Sequence, residues 1–133
     1  KEEDIGVIAP YRKQVQKFHK AFDLLGWNIR VGSVEQFQGS EKSIIFISTV
    51  RSNVALVEED YRFKLGFLKN PKRFNVSVTR AQALLIVVGN PKILRHDKQW
   101  YQLLNYCRQN GAAVGIPFPV EEPTPQVNDH IAS

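Results

Sequence analysis

The sequence predicts an α/β layered fold with a mostly parallel sheet. Three observations lead there. Short, unbroken apolar runs recur along the chain, stretches with helical apolar spacing lie between or after them, and polar segments follow the runs. Unbroken apolar runs suit parallel strands, because crossover helices cover both faces of such a sheet.

The elements follow in order. Ile5-Gly6-Val7-Ile8-Ala9, ended by Pro10, reads as a buried strand. Tyr11, Val15, Phe18, Phe22 and Leu25 recur at helical spacing, with Pro10 at the entry and Gly26 just past the end. Ile29-Arg30-Val31 is a second short strand. Ser43 to Val50, centred on Ile44, Ile45, Phe46 and Ile47, is a third. Residues 51–70 read as a long mixed connection. The next segment is open to two readings. Phe74, Val76 and Val78 alternate as in a strand, while Asn70-Pro71 is a good helix opening and Phe74, Val78 and Ala81 share a helical face. Periodicity does not decide between them. Ala83 to Gly89 is the clearest strand. Trp100, Leu103, Leu104 and Cys107 form a helical stripe ending near Asn110-Gly111. Pro117, Pro119, Pro123 and Pro125 mark residues 116–133 as a flexible tail, so one domain over 1–115 is expected.

Composition narrows the classes. A chain of 133 residues is about one domain, with enough apolar residues for one core. Its start at Lys1, running directly into the first strand, reads as a cut from a larger protein. No apolar run approaches the roughly 20 residues of a membrane span. Cys107 is the single cysteine, which excludes a disulfide framework or cysteine zinc site and suits a reduced intracellular compartment. His19, His96 and His130 are scattered, and no metal site is expected. The net charge of +5 fits either a solvated basic surface or contact with nucleic-acid phosphates.

Ligands of parallel sheets lie beyond the carboxyl ends of the strands. That directs attention to residues 10–14, 32–41 and 49–53. The segment Gly32-Ser33-Val34-Glu35-Gln36-Phe37-Gln38-Gly39-Ser40-Glu41 either offers backbone amides to phosphates or forms an ordinary polar turn. No GxxxxGK[ST] loop occurs, nor a paired-acid magnesium motif, so the domain is not expected to hydrolyse ATP unaided. Arg80, after Thr79, either reaches a phosphate held by a neighbouring domain or is a surface arginine. Tyr11, beside Arg12, either stacks on a base or begins the core face of its helix.

Three segments carry a resemblance. Ile8-Ala9-Pro10-Tyr11-Arg12-Lys13-Gln14 is similar to helicase motif IV of the nonsense-mediated-decay type. Residues 32–41 are similar to motif V, S-V-D/E-x-F-Q-G-x-E. Gly66-Phe67-Leu68 with Pro71-Lys72-Arg73-Phe74-Asn75-Val76-Ser77-Val78-Thr79-Arg80-Ala81 is similar to motif VI, and Gly89-Asn90-Pro91 closes the pattern. The order, from Ile5 to about Gly115, resembles the C-terminal RecA-like (2A) domain of superfamily 1B, Upf-type RNA helicases. Thr49-Val50-Arg51-Ser52 and residues 66–76 resemble most the Armitage and Moloney-leukaemia-virus-10 type of RNA-silencing helicase. Gln82 departs from the family, where a basic residue is common.

The resemblance implies a RecA-like three-layer fold, with the Pro71 segment a helix. It implies the C-terminal motor half of an ATP-dependent, 5′-to-3′ RNA helicase of a piRNA- or siRNA-type silencing pathway. ATP and Mg²⁺ are the implied cofactors, with the magnesium ligands and phosphate loop on an N-terminal RecA domain absent from this chain. Arg80 is the implied arginine finger, Glu41 the ribose contact and Tyr11 the base contact, with Arg12 and Gln14 also at the nucleotide. Ser33, Val34 and Thr49 are implied to face RNA phosphates through backbone or hydroxyl groups. Expected partners are single-stranded RNA, the N-terminal RecA domain and Argonaute- or Piwi-pathway proteins, in cytoplasmic ribonucleoprotein granules. The alternative is a non-catalytic RecA-like module that binds RNA or protein.

Overall fold

The computed structural model describes residues 1–49 and 71–115. The 51–70 connection, the end of the third strand at Val50, the Asn70 cap, the Thr49–Ser52 and Gly66 motifs beyond Thr49 and before Pro71, and the 116–133 tail lie outside them. The chain forms two compact units, Lys1–Asn90 and Pro91–Ser133.

The first unit is built on four parallel strands in the order β2-β1-β3-β4. β1 (Ile5–Ile8) follows a short 3₁₀ turn and leads to α1 (Arg12–Leu25). β2 (Arg30–Gly32) leads to the one-turn α2 (Val34–Phe37), and β3 (Lys42–Ser48) follows. α3 (Pro71–Val78) then precedes β4 (Ala81–Val88). The chain thus steps from β1 to one side for β2 and returns to the other for β3. This reversal makes a topological switch point between β1 and β3.

The central strands hold the core. Val7, Ile8, Ile45 and Ile47 are buried, and Phe37 of α2 is fully enclosed. Gly6 shows why the close approach needs glycine. A Cβ there would lie 2.8 Å from the Phe37 ring and 2.9 Å from Ile45 Cδ1. α1 ends as its sequence predicts. Gly26 takes φ 69° and ψ 26°, and the Trp27 amide donates to the Phe22 carbonyl at 2.9 Å.

Three expectations need correction. Leu25, expected on the packed stripe of α1, is 58% exposed. The helix is about 21 Å long and the three-residue strand beside it about 10 Å, so its last turn outruns the sheet. The last strand begins at Ala81, not Ala83, because the Lys42 amide donates to the Arg80 carbonyl and pairs the strand from its first residue. Its unbroken apolar run also does not make a strand covered on both faces. β4 is an edge among the described strands, and Leu84 and Val88 are about half exposed.

The ambiguous segment is a helix, α3, with Pro71 at its first position. Its enclosed residue is Ser77, whose hydroxyl donates to the Arg73 carbonyl four residues back at 2.7 Å.

The second unit contains α4 (Pro91–Leu94) and α5 (Lys98–Gln109). Asp97 caps α5 by accepting from the Gln99 and Trp100 amides at 2.9 and 3.1 Å. Trp100, the expected anchor of the stripe, is buried. Gly111 at φ 65° ends the helix, close to the expected place.

No helix among the described residues is long and apolar enough to cross a membrane.

Candidate functional site

Parallel strands give a sheet two chemically different edges, and the expected site residues divide between them. Beyond the carboxyl ends lie Tyr11, Arg12 and Gln14 after β1, Ser33 and Val34 after β2, and Thr49 after β3. Before the amino ends lie Glu41, ahead of β3, and Arg80, ahead of β4. Among the described residues, Tyr11, Arg12 and Gln14 therefore stand at one edge of the sheet and Glu41 and Arg80 at the other. Glu41 lies six positions before Ile47, the partner of Ile8, which is about 20 Å of strand.

At the carboxyl edge the switch point is bridged. Gln14 on α1 donates through Nε2 to the Ser48 hydroxyl at the end of β3, at 2.5 Å. Its Oε1 is buried with no donor among the described residues. Tyr11 is the half-buried N-cap of α1, with no side-chain capping bond, and Arg12 is exposed in the first turn. Ser33 belongs to a capping box. Its hydroxyl accepts from the Gln36 amide, and the Gln36 side chain returns to accept from the Ser33 amide at 2.8 Å. The S-x-x-Q pattern at 33–36 was the signal in the sequence for this one-turn helix. Val34 is 2% exposed, so its side chain is core. Thr49 is buried as well, and both its amide and its hydroxyl donate to the Val88 carbonyl at 2.9 Å. That hydroxyl holds β3 to β4, so the hydroxyl contact expected of Thr49 is already committed.

At the amino edge, Arg80 and Glu41 stand side by side, since the residues that follow them, Ala81 and Lys42, are direct partners in the ladder. Arg80 is half-buried. Its Nε donates to the Val76 carbonyl and its Nη2 to the Thr79 hydroxyl, both at 3.1 Å, which seats it on the C-terminal end of α3. A cation suits that end of the helix dipole. The guanidinium pairs with no carboxylate among the described residues. Glu41 is exposed, and its Oε2 accepts from Gln82 Nε2 at 3.3 Å, so the residue that departs from the family pattern touches Glu41. The ladder slips by one residue between Lys42 and Ile44, a bulge of the kind that re-aims side chains near sites. Glu35 of α2 pairs with Arg73 of α3 at 2.8 Å, tying the motif V segment to motif VI.

Reading the sequence missed Arg30, Gln36 and Ser48. Arg30 opens β2, and its guanidinium lies 4.6 Å from the centre of the Phe37 ring and 3.0 Å from the Ser40 hydroxyl. Nothing in the local pattern marks it, because its partners are reached only after α2 turns the chain back.

Comparison with known proteins agrees with this architecture. The family described as AAA domain matches residues 1–92. The human protein named RNA helicase Mov10l1 is 54% identical over 119 residues, 87% of this chain and 10% of its own length. The Drosophila melanogaster protein named Probable RNA helicase armi is 45% identical over 120 residues, 88% of this chain and 10% of its own. The Regulator of nonsense transcripts 1 homolog of the same fly is 40% identical over 121 residues, 86% of this chain and 10% of its own. The chain therefore spans about a tenth of the length of these relatives. With its parallel sheet and the motifs on its two edges, it belongs to the AAA domain family, as a helicase domain of the type shared by Mov10l1, armi and the regulator of nonsense transcripts 1.

Proposed function

We propose that this chain is the C-terminal motor half of an ATP-dependent RNA helicase moving 5′ to 3′ along single-stranded RNA, and that its two sheet edges meet different ligands. The observation that carries this is the adjacency of Arg80 and Glu41 at the amino edge, at the opposite end of the strands from Tyr11, Arg12, Gln14, Ser33 and Thr49. An arginine that pairs with no carboxylate among the described residues can present its planar fork to a phosphate held by the opposing motor domain. Arg80 then stabilises negative charge on the transferring γ-phosphoryl, and Glu41 accepts a hydrogen bond from a ribose hydroxyl. ATP with Mg²⁺, held by the other motor domain, supplies the phosphoryl group.

The carboxyl edge is where we place RNA. Tyr11, Arg12 and Gln14 go with Ser33 on this face, because about 20 Å of strand separates them from the Arg80–Glu41 pair. Arg12 meets phosphate and Tyr11 offers a ring for a base, contacts that ignore sequence as a translocating motor requires. Val34 contributes through the backbone only, and Thr49 supports the face by tying the end of β3 to Val88 through both its amide and its hydroxyl. β3 and β4 run from one edge to the other, so closure on nucleotide at Arg80 is carried to the RNA face as a rigid movement. The resemblance to the Armitage type points to RNA of a silencing pathway, with Argonaute- or Piwi-pathway proteins as partners in cytoplasmic granules.

The test uses the full-length protein. Arg12→Ala should weaken single-stranded RNA binding and flatten its salt dependence by about 0.7 in slope, one phosphate contact, while leaving the KM for ATP at saturating RNA within about twofold. A raised KM for ATP with unchanged RNA affinity would return Arg12 to the nucleotide. Absence of any RNA-stimulated ATP hydrolysis by the wild-type protein would favour a binding module.

A further inference from the structure

The segment carrying Glu41 is held from its own sequence chiefly by one turn, in which the Ser40 amide donates to the Phe37 carbonyl at 2.9 Å. It leaves α2 through Gln38, turns at Gly39 with φ 77°, and reaches Glu41 in solvent. Gln82 reaches the Glu41 carboxylate itself, and two further anchors from elsewhere hold the chain on either side. On the β3 side, the Lys42 amide donates to the Arg80 carbonyl at 3.1 Å. On the α2 side, Arg30 spans the turn. Its Nη2 donates to the Gln36 carbonyl before Gly39, and its Nη1 donates to the Ser40 hydroxyl after it, at 3.0 Å. The guanidinium lies over the Phe37 ring, which is fully buried and so cannot yield beneath it. A planar group with donors on both sides suits a stack combined with two separate acceptors, which a single ammonium cannot reproduce.

We infer that Arg30 is a positioning residue for nucleotide binding: it clamps the chain on both sides of Gly39 and so sets where the Glu41 carboxylate stands beside Arg80. This rests on the reading above, in which Glu41 contacts the nucleotide. Arg30 itself need touch no ligand. Its exposure on the surface of the segment, rather than in the core, separates this role from a general contribution to folding.

The experiment measures RNA-stimulated ATP hydrolysis by the full-length protein, with equilibrium binding of a fluorescent ADP analogue and a thermal melt for every variant. Arg30→Ala should raise the KM for ATP and the Kd for the analogue by about five- to tenfold, the loss expected when roughly one good interaction ceases to hold the contact. Turnover at saturating ATP should stay within about twofold, because Arg80 is untouched. Arg30→Lys should recover part of the affinity, and Ser40→Ala should lose a smaller part. The decisive comparison is a double-mutant cycle. In a Glu41→Ala background, Arg30→Ala should add nothing further, whereas an independent structural role would add its full effect. If Glu41→Ala raises the KM but Arg30→Ala does not, or if the two effects multiply, the positioning role is wrong and the nucleotide reading stands. If Glu41→Ala leaves the KM unchanged, the nucleotide reading fails and the inference falls with it. Should Arg30→Ala not fold, the same cycle run with Arg30→Lys and Ser40→Ala decides in the same way.

Discussion

Arg80 is held by two weak contacts and one strong geometric constraint. Its side chain donates to Val76 and Thr79, and its carbonyl receives the Lys42 amide that starts the β3–β4 ladder. Only the side chain is lost in Arg80→Ala, so the ladder survives. A half-buried arginine giving up hydrogen bonds to a carbonyl and a hydroxyl should cost about 1 kcal/mol of stability or less. In the full-length protein the chemical effect should be far larger, about 10³- to 10⁵-fold in turnover, as for arginines that stabilise a transferring phosphoryl group. Nucleotide affinity should change much less, because the charge that Arg80 meets develops in the transition state. Single-turnover ATP hydrolysis with RNA, run beside a thermal melt, checks this. Hydrolysis within about threefold of wild type, under about 0.7 kcal/mol, would remove Arg80 from the chemistry.

At the scale of elements, α2 meets β1 at a close joint near the site. Phe37 reaches Gly6, and α2 in turn fixes the motif V segment and pairs with α3 through Glu35 and Arg73. Gly6→Ala places a methyl group 2.8 Å from the Phe37 ring and 2.9 Å from Ile45 Cδ1. With both neighbours fully buried there is little room to relax, so overpacking should cost about 1–3 kcal/mol. Chemical denaturation should report it as a shift of the midpoint with the slope unchanged. Because the displaced ring also carries Arg30, nucleotide affinity should fall with it. A stable Gly6→Ala variant with unaltered midpoint would mean that α2 is not seated on β1 as described. The cap of α5 offers a cleaner comparison within the second unit. Asp97→Ala removes the acceptor for two amides and should cost about 1 kcal/mol, read in the same experiment.

The whole chain carries one half of each proposed site. It contains Arg80 and Glu41 but no phosphate-loop sequence, so the 133-residue chain alone should show no ATP hydrolysis above controls. It should still bind single-stranded RNA weakly through the carboxyl edge, aided by its net charge of +5. Each phosphate contact should contribute about −0.7 to the slope of log affinity against log salt. Hydrolysis by the purified chain would overturn the first expectation, and salt-independent binding the second.

The sequence by itself determined the class of fold, most of the elements and their ends, because these depend on neighbours within a few residues. The apolar run of β1, Pro10 before α1 and the left-handed Gly26 after it act locally, and the motifs around Arg80 and Glu41 were legible for the same reason. Local pattern failed where two elements had to meet. Whether residues 71–78 were helix or strand turned on competing periods of equal merit, and Leu25 lost its burial because α1 is longer than the strand it covers. The tertiary structure alone decided which site residues stand together. Strand direction sends residues before a strand to one edge and residues after it to the other. Tyr11, Arg12 and Gln14 are thereby parted from Glu41 and Arg80 by the length of the sheet. Glu41 and Arg80, 39 positions apart in sequence, become neighbours through a single rung of the ladder between Lys42 and Ala81, and Arg30 gains its partners only when α2 folds back over β2. These pairings arise from chain reversal and sheet register, long-range quantities that no local spacing encodes.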